Sequence, residues 1–354
     1  MGTVYYGLAG EGRGHATRAH TIIEHLKTQH QVEVLTFGQA FDMLKPLYST
    51  GHVRVRDIGG MYLEYGRDGR MSPTRTLLKG VPFAARMNIK AQRLAAELSA
   101  RRASLVIADF EPVSERAARF AGIPVVSIDH QRYLQTCVLG DLPLTQRLKI
   151  SAMNTVIKAI YGTADHLIVS GFHLPPLKPE FRHAQAVGVL LRDEVLNAHP
   201  TSGEHLVVYL RRSCPNSVLD VLSRAQCPVH IYGLGERAPH GALQFLQVSP
   251  SEFIRDLASC KALVSTAGNQ LIGEALYLLK PVLAFPEPGN FEQEINGHLL
   301  NEHGGGLALS DEALTSERLA QFLRGLDTYR GRIRPEKIAG NRAVFERLDA
   351  LLGG

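Results

Sequence analysis

Short runs of Val, Ile and Leu recur along the chain, separated by stretches whose apolar positions return every three or four residues. In the first half the runs are Val4–Leu8, Val32–Phe37, Leu105–Ala108, Val125–Ile128 and Leu167–Ser170. Nearly continuous apolar runs of this length suit strands covered on both faces. After the first run, Ala16, Ala19, Ile22, Ile23 and Leu26 fall on one face at a 3.6-residue period, which predicts a helix packed on the sheet. Strand and helix alternating in this way predict a parallel sheet wrapped by helices.

The proline-rich stretch Leu174-Pro175-Pro176-Leu177-Lys178-Pro179 reads as a linker. Beyond it the alternation restarts with Val187–Leu191, Leu206–Leu210, Val229–Tyr232, Ala262–Ser265 and Val282–Phe285. The fold class is therefore α/β, with two doubly wound Rossmann-like domains facing a cleft. The expected bounds are residues 1–175 and 185–335, with a helix at about 338–354 returning to the first domain. Ligands in such folds sit beyond the carboxyl ends of the strands, so chemistry is sought there.

Composition narrows the class. The chain has 354 residues, enough for two such cores, with 45% hydrophobic and 21% charged residues. Cys137, Cys214, Cys227 and Cys260 have no C-x-x-C spacing, which argues against a structural zinc ribbon or a disulfide framework and suits a reducing cytoplasm. The chain opens directly on Met1-Gly2-Thr3-Val4-Tyr5-Tyr6, without a signal-peptide pattern, and no apolar run approaches a membrane span. The net charge is +5, but residues 1–170 hold 21 Lys/Arg against 14 Asp/Glu. Nine of those cations and only two acids fall between Arg67 and Arg102. Apolar Leu77, Leu78, Val81, Phe83, Ala84 and Ile89 lie among Arg75, Lys79, Arg86 and Lys90. This is either an ordinary amphipathic helix with solvated cations or one suited to an anionic bilayer surface.

The first strand ends in Gly10-Glu11-Gly12-Arg13-Gly14-His15. Glycines at a helix start let backbone N–H groups approach a ligand. The spacing is not G-x-G-x-x-G, and the second strand ends in Thr36-Phe37-Gly38 without a ribose-binding acid, so a dinucleotide site is not expected. His15 stands where loop becomes helix. It reads as a general base or hydrogen-bond partner for an acceptor hydroxyl, or as a solvated helix-start histidine. Two further strands end in Asp109-Phe110-Glu111-Pro112 and Asp129-His130-Gln131, bringing carboxylates and an imidazole to the same edge. Asp109 or Asp129 would orient an imidazole, act as base, or cap the helix that follows.

In the second half, Ser265-Thr266-Ala267-Gly268-Asn269 follows a strand and opens a helix bearing Glu274. A small-residue turn at a helix N-terminus is a diphosphate site in waiting, and Glu274 is placed to accept from ribose hydroxyls or to stabilise the helix start. Glu292-Gln293, in the loop after the next strand, offers acceptors and donors to sugar hydroxyls.

The string S-T-A-G (265–268), E-A-L (274–276), K-P-V-L-A-F-P (280–286), E-Q (292–293) and Asn296 resembles the C-terminal domain of family 28 glycosyltransferases. That group includes the GlcNAc transferase of peptidoglycan lipid synthesis and galactolipid synthases, with macrolide transferases as relatives. The turn G-x-G-x-G-H-x-x-R resembles the group's acceptor-side loop, and D-F-E-P resembles a less characterised branch. The likeness covers the first turn and residues 245–306. It implies a GT-B fold, a nucleotide-sugar held mainly by the C-terminal domain, and inversion at the anomeric carbon. Gly268 and its neighbours would meet the diphosphate, Glu274 the ribose, Gln293 with Glu292 the donor sugar, and the stretch before Phe253 the base. Where relatives carry a glycine-rich loop, this chain has Arg211-Arg212-Ser213, and Arg211 is expected to neutralise diphosphate bidentately.

The expected activity is transfer of a sugar from a nucleoside-diphosphate donor, UDP-linked, to a hydroxyl acceptor that is lipid-linked in one version. No D-x-D string occurs, so neither metal nor other cofactor is expected. Two alternatives stand beside it: a nucleotide-sugar epimerase or hydrolase of the same fold, and a non-catalytic nucleotide-sugar binder. Nucleic acid is not an expected partner. The expected location is cytoplasmic, and in the bilayer-binding reading of residues 67–102 that segment rests on the inner membrane face.

Overall fold

The structure, a computed structural model, describes residues 2–60, 62, 73–139, 142–162, 164–210, 215–247 and 249–353, with only the backbone described at 73–79, 156 and 250. The chain divides into two compact units, the first ending at Leu190 and taking back the chain from Gly340 onward, the second holding Leu191–Ala339.

The first unit is built on strands β1 (Thr3–Leu8), β2 (Gln31–Thr36), β3 (Val53–Asp57), β4 (Leu105–Asp109), β5 (Val125–Asp129), β6 (His166–Ser170) and β7 (Gln185–Val187). They form one sheet in the order β3-β2-β1-β4-β5-β6-β7, and its pairs are parallel. β4 and β5 are buried along their whole length, and only the first residue of β1 and of β2 is not. The helix Arg13–Leu26 buries Ala16, Ala19, Ile22, Ile23 and Leu26, so the apolar stripe faces the sheet as its period requires. On the other face, helix Pro73–Ala100 packs Met87, Ala91, Leu94, Ala95 and Leu98 against Tyr5, Val106 and Ala108. The helix Asn341–Leu352 also belongs here: Val344 and Leu348 join the core of β1 and β2, and Phe345 stacks on His25 at 4.1 Å.

The second unit has β8 (Leu206–Tyr209), β9 (Val229–Tyr232), β10 (Leu243–Phe245), β11 (Ala262–Ser265), β12 (Val282–Ala284) and β13 (Gly306–Ala308). Their order is β10-β9-β8-β11-β12-β13, again parallel. A core of Leu206, Val208, Ile231, Val264, Leu283 and Phe322 lies on one face.

Three sequence expectations change. Of the run Val187–Leu191, read as opening the second half, Val187 instead ends β7 of the first sheet, where it pairs with Ser170, and the first unit continues to Leu190. The proline-rich stretch is thus the crossover from β6 to β7, because parallel neighbours need a connection that returns along the sheet. β3, β10 and β13 were not recognised. β3 alternates exposed and buried positions as an edge strand does, and the other two are three-residue edge strands too short to show a pattern.

Candidate active site

In each sheet the strand order reverses at one place, between β1 and β4 in the first and between β8 and β11 in the second. Loops leaving the carboxyl ends of such a pair diverge, and the gap between them is where ligands bind in this architecture. Leu8 and Asp109 are register partners at the first of these points, so the glycine turn after β1 and the D-F-E-P string after β4 arrive side by side.

Gly12 sits at the helix start with φ 85° and ψ 141°, a conformation that side-chain-bearing residues rarely adopt. A Cβ on Gly10 would collide with the Phe37 carbonyl oxygen. Gly14 lies in the first turn of helix Arg13–Leu26, and His15 is its third residue. Across the switch point, Phe110 stands at φ 54° and stacks on Tyr161 at 4.2 Å. Such a backbone costs on the order of 1–2 kcal/mol. It turns Asp109 one way and Glu111 the other.

Asp109 is fully buried. Its Oδ2 accepts from Arg18 Nε at 2.8 Å, and its Oδ1 accepts from Arg18 Nη2 at 2.7 Å and from His15 Nδ1 at 2.9 Å. Arg18 Nη2 lies 3.2 Å from the same ring nitrogen, both donors converging on Oδ1. Burial works against ionisation, yet the Arg18 guanidinium and then the His15 ring hold the Asp109 carboxyl below its usual range. An ionised carboxylate only accepts, so the His15 proton sits on Nδ1 and Nε2 is left with a lone pair. The Gln131 amide nitrogen lies 3.4 Å from that Nε2. The resulting set is an imidazole with its tautomer fixed by a carboxylate, which is in turn clamped by a buried arginine. Arg18 was visible as the last letter of G-x-G-x-G-H-x-x-R, three residues after His15 and therefore on the same helix face. No role was read for it, since nothing local shows that a strand 91 residues away supplies its partner.

The other residues of this edge do different work. Glu111 caps helix Pro112–Ala121, accepting from Val113 N at 3.0 Å, from Ser114 N at 2.7 Å and from the Ser114 hydroxyl. Burial pushes its carboxyl up despite those bonds. Asp129 accepts from the Ser127 hydroxyl at 2.6 Å, from Arg132 N at 2.8 Å and from Arg132 Nε at 3.3 Å. Arg132 also donates to Glu115 at 2.6 Å, so this is a second buried network that secures the turn after β5. Of the two carboxylates for which orientation, base and helix cap were open, Asp109 has the geometry that orients an imidazole and Asp129 secures the turn after β5, while the helix cap is Glu111. His130 donates through Nδ1 to the Ser170 carbonyl at 2.9 Å and stacks on Tyr133 at 4.5 Å.

At the β8/β11 switch point, Ser265 is the register partner of Tyr209. The turn Thr266-Ala267-Gly268 opens helix Asn269–Tyr277. It is pinned from beneath, with Asn296 donating to the Ala267 carbonyl at 3.0 Å and the Ser265 hydroxyl to the Thr266 carbonyl at 2.9 Å. Gly268 has φ −79° and ψ 125°, open to any residue, and a Cβ there would meet nothing within 4 Å. The backbone does not need this glycine, whose small size leaves open space before the first N–H groups of a helix.

Glu274 is buried and accepts from Arg192 Nε at 3.1 Å and Nη2 at 2.8 Å, and from the Gln270 amide at 3.3 Å. Sequence reading missed Arg192 because it lies 82 residues away and outside every motif. Gln293 accepts from Glu287 N at 2.8 Å through its carbonyl and donates to the Glu287 carboxylate at 3.1 Å. It therefore staples the loop after β12, while Glu292 sits beside it in the first turn of helix Phe291–His303. Arg211 and its neighbours Arg212 and Ser213 lie outside the described residues.

Residues 2–327 match the family model described as "Glycosyl transferase family 1". A Mycobacterium tuberculosis protein named UDP-N-acetylglucosamine--N-acetylmuramyl-(pentapeptide) pyrophosphoryl-undecaprenol N-acetylglucosamine transferase is 28% identical over 158 residues, 41% of this chain. The match spans 36% of that relative's length, about a third. Among solved structures, LpCGTa in complex with UDP aligns with TM-score 0.69 at 16% identity over 100% of both chains. MurG of Acinetobacter baumannii aligns with TM-score 0.63 at 15% identity, over 99% of this chain and 100% of the other. At those identities the likeness speaks for the fold, two Rossmann-like units of the GT-B class.

Proposed function

The chain belongs to glycosyl transferase family 1, and from that premise we propose that it transfers a sugar from a UDP-linked donor to a hydroxyl acceptor, with inversion and without a metal ion in the transfer step. The observation that carries the reading is the His15–Asp109–Arg18 set at the β1/β4 switch point. His15 Nε2 takes the acceptor's hydroxyl proton as the oxygen bonds to the anomeric carbon and the bond from that carbon to the diphosphate oxygen breaks. A single displacement of this kind inverts the centre. Asp109 keeps the lone pair on Nε2 and stabilises the imidazolium that forms. Arg18 stops Asp109 from taking a proton itself.

The leaving diphosphate gathers negative charge, which N–H groups at the start of helix Asn269–Tyr277 are suited to hold, with Arg211 as a second source of positive charge. Glu274 accepts from ribose hydroxyls through the lone pairs its bidentate pairing with Arg192 leaves over. The UDP donor is supported by the mycobacterial relative's name and by the UDP-bound structural neighbour. A lipid-linked acceptor is supported by the undecaprenol in that name and by helix Pro73–Ala100, whose Val81, Arg86 and Ile89 are exposed. Of the other residues named for this surface, Phe83 is half-buried, and the side chains of Arg75, Leu77, Leu78 and Lys79 lie outside the described residues. Among the described residues no helix is long and apolar enough to cross a membrane.

The test is His15→Ala. Donor turnover should fall by about 10²–10⁴-fold while UDP affinity stays unchanged; affinity falling in step with turnover would place His15 in donor binding instead. Donor consumption that needs no acceptor would move the reading to the epimerase or hydrolase. Turnover that requires an added divalent ion would refute the metal-free step. Sedimentation with liposomes of acidic phospholipid, weakened by salt and by Arg86→Glu, is expected if the acceptor is lipid-linked.

A further inference from the structure

Three residues with no place in the proposed transfer chemistry meet in the second unit: His205 just before β8, His230 within β9, and Asp256 on helix Pro250–Ser259. His205 Nε2 lies 2.8 Å from Asp256 Oδ1, and His230 Nδ1 lies 2.9 Å from Asp256 Oδ2. The two rings stack at 4.4 Å with their planes 23° apart, and one ligand atom from each of the three residues falls within 4.8 Å of the others. All three are partly exposed, their side chains between 15% and 22% accessible, so an ion has an entry path and room for solvent as a further ligand. Among the described residues this is the one such convergence of His, Cys, Asp and Glu.

We propose that His205, His230 and Asp256 bind a first-row transition-metal ion of the Zn²⁺ class. Two imidazoles and a carboxylate are the donor set that zinc, cobalt or nickel prefers, whereas magnesium and calcium select oxygen ligands. Bond lengths of about 2.0–2.2 Å place tetrahedral ligand atoms about 3.3 Å apart, a closure that side-chain rotation supplies here. As the side chains stand, one ring nitrogen of each histidine donates to the Asp256 carboxylate. On ligation each ring moves its proton to the other nitrogen and offers a lone pair instead. Tyr232 donates to Asp256 Oδ2 at 2.8 Å and thus orients the carboxylate, the supporting bond that metal-ligating groups carry.

The site lies toward the amino ends of β8 and β9, the opposite edge from the carboxyl end of β11, where the Thr266–Gly268 turn begins. The ion therefore has no part in the leaving-group chemistry and acts as a brace. It ties helix Pro250–Ser259 to two strands, adding to the edge-on contacts of Phe253 with Tyr209 at 5.8 Å and Tyr232 at 5.0 Å. No short motif announces it, since the three residues are 25 and 26 positions apart on three separate elements.

The experiment is titration of the chelator-treated full chain with Co²⁺, read by its visible d–d absorption, followed by competition with Zn²⁺ and with Mg²⁺. One equivalent of Co²⁺ per chain, displaced by Zn²⁺ and not by Mg²⁺, is expected. His230→Gln and, separately, His205→Gln should each weaken binding at least roughly tenfold and remove the rise in melting temperature that Zn²⁺ gives the wild type. Two single variants are used so that one that fails to fold leaves the other to decide. Absence of saturable Co²⁺ binding overturns the site. So does saturable binding unchanged in a folded variant, which would assign the ion to others of the 15 histidines.

Discussion

Replacing Asp109 with Asn tests the catalytic and the structural sides of the first site at once. The carboxylate is fully buried and accepts three charge-assisted hydrogen bonds of 2.7–2.9 Å from two residues. The Asp109→Asn amide keeps the shape but turns one acceptor into a donor, which faces Arg18 Nε at the Oδ2 position, or both Arg18 Nη2 and His15 Nδ1 at the Oδ1 position. Arg18, itself buried, loses its counter-charge, and breaking a buried pair from one side costs about 3–5 kcal/mol. If the amide nitrogen faces His15, it favours the tautomer with the proton on Nε2, which can no longer act as base. That loss is on the order of 10²–10⁴ in turnover. The assay is single-turnover donor consumption at a temperature where circular dichroism shows the variant folded, with UDP affinity measured on the same sample. Turnover within about threefold of wild type in the folded variant would refute the tautomer argument. The pH sign is fixed as well. The folded carboxyl titrates below its ordinary value of about 3.9, so its stabilisation is present above that pH and is lost as pH falls through the lower folded value. Wild type should therefore lose part of its stability below about pH 4, and Asp109→Asn should not show that part of the loss.

Three further outcomes are expected. Glu274→Ala should weaken UDP binding by about 1.5–3 kcal/mol, read by calorimetry on folded protein, and unchanged affinity would remove the ribose assignment. Gly268→Ala should leave the unfolding free energy equal or raised by up to about 1 kcal/mol, since its backbone suits any residue and its Cβ meets nothing within 4 Å. The same methyl should still reduce UDP affinity, and undiminished affinity would place the diphosphate elsewhere. Burial pushes the Glu115 carboxyl up to about 7, against the pull of Arg132. Its contribution is thus complete below its unfolded value near about 4.3 and fades as pH rises toward neutrality. Denaturant melts should show Glu115→Gln flattening the stability–pH curve across that window; an unaltered slope would contradict it.

The sequence by itself determined the class of fold. Continuous apolar runs such as Val125–Ile128 and the 3.6-residue stripe on Arg13–Leu26 are driven by burial, and burial leaves a period that a single strand or helix displays. It also marked strand ends that lie at the two switch points, because glycine turns and small-residue helix starts are local devices: Gly12 at φ 85° and the Thr266–Gly268 turn are legible within a few residues. The edge of the first sheet was decided only in three dimensions, since three residues at 185–187 acquire their strand identity from β6. Partner choice was decided there too. Asp109, Glu111 and Asp129 are interchangeable in sequence, each a carboxylate at or just beyond a strand's end. One faces a buried arginine and a histidine, one caps a helix and one secures a turn. Glu274 and Asp256 likewise take their roles from Arg192, His205 and His230, 26 to 82 residues away. Charge pairing acts over a few ångströms in space and leaves no periodic trace along the chain, so chain folding alone assigns the partner.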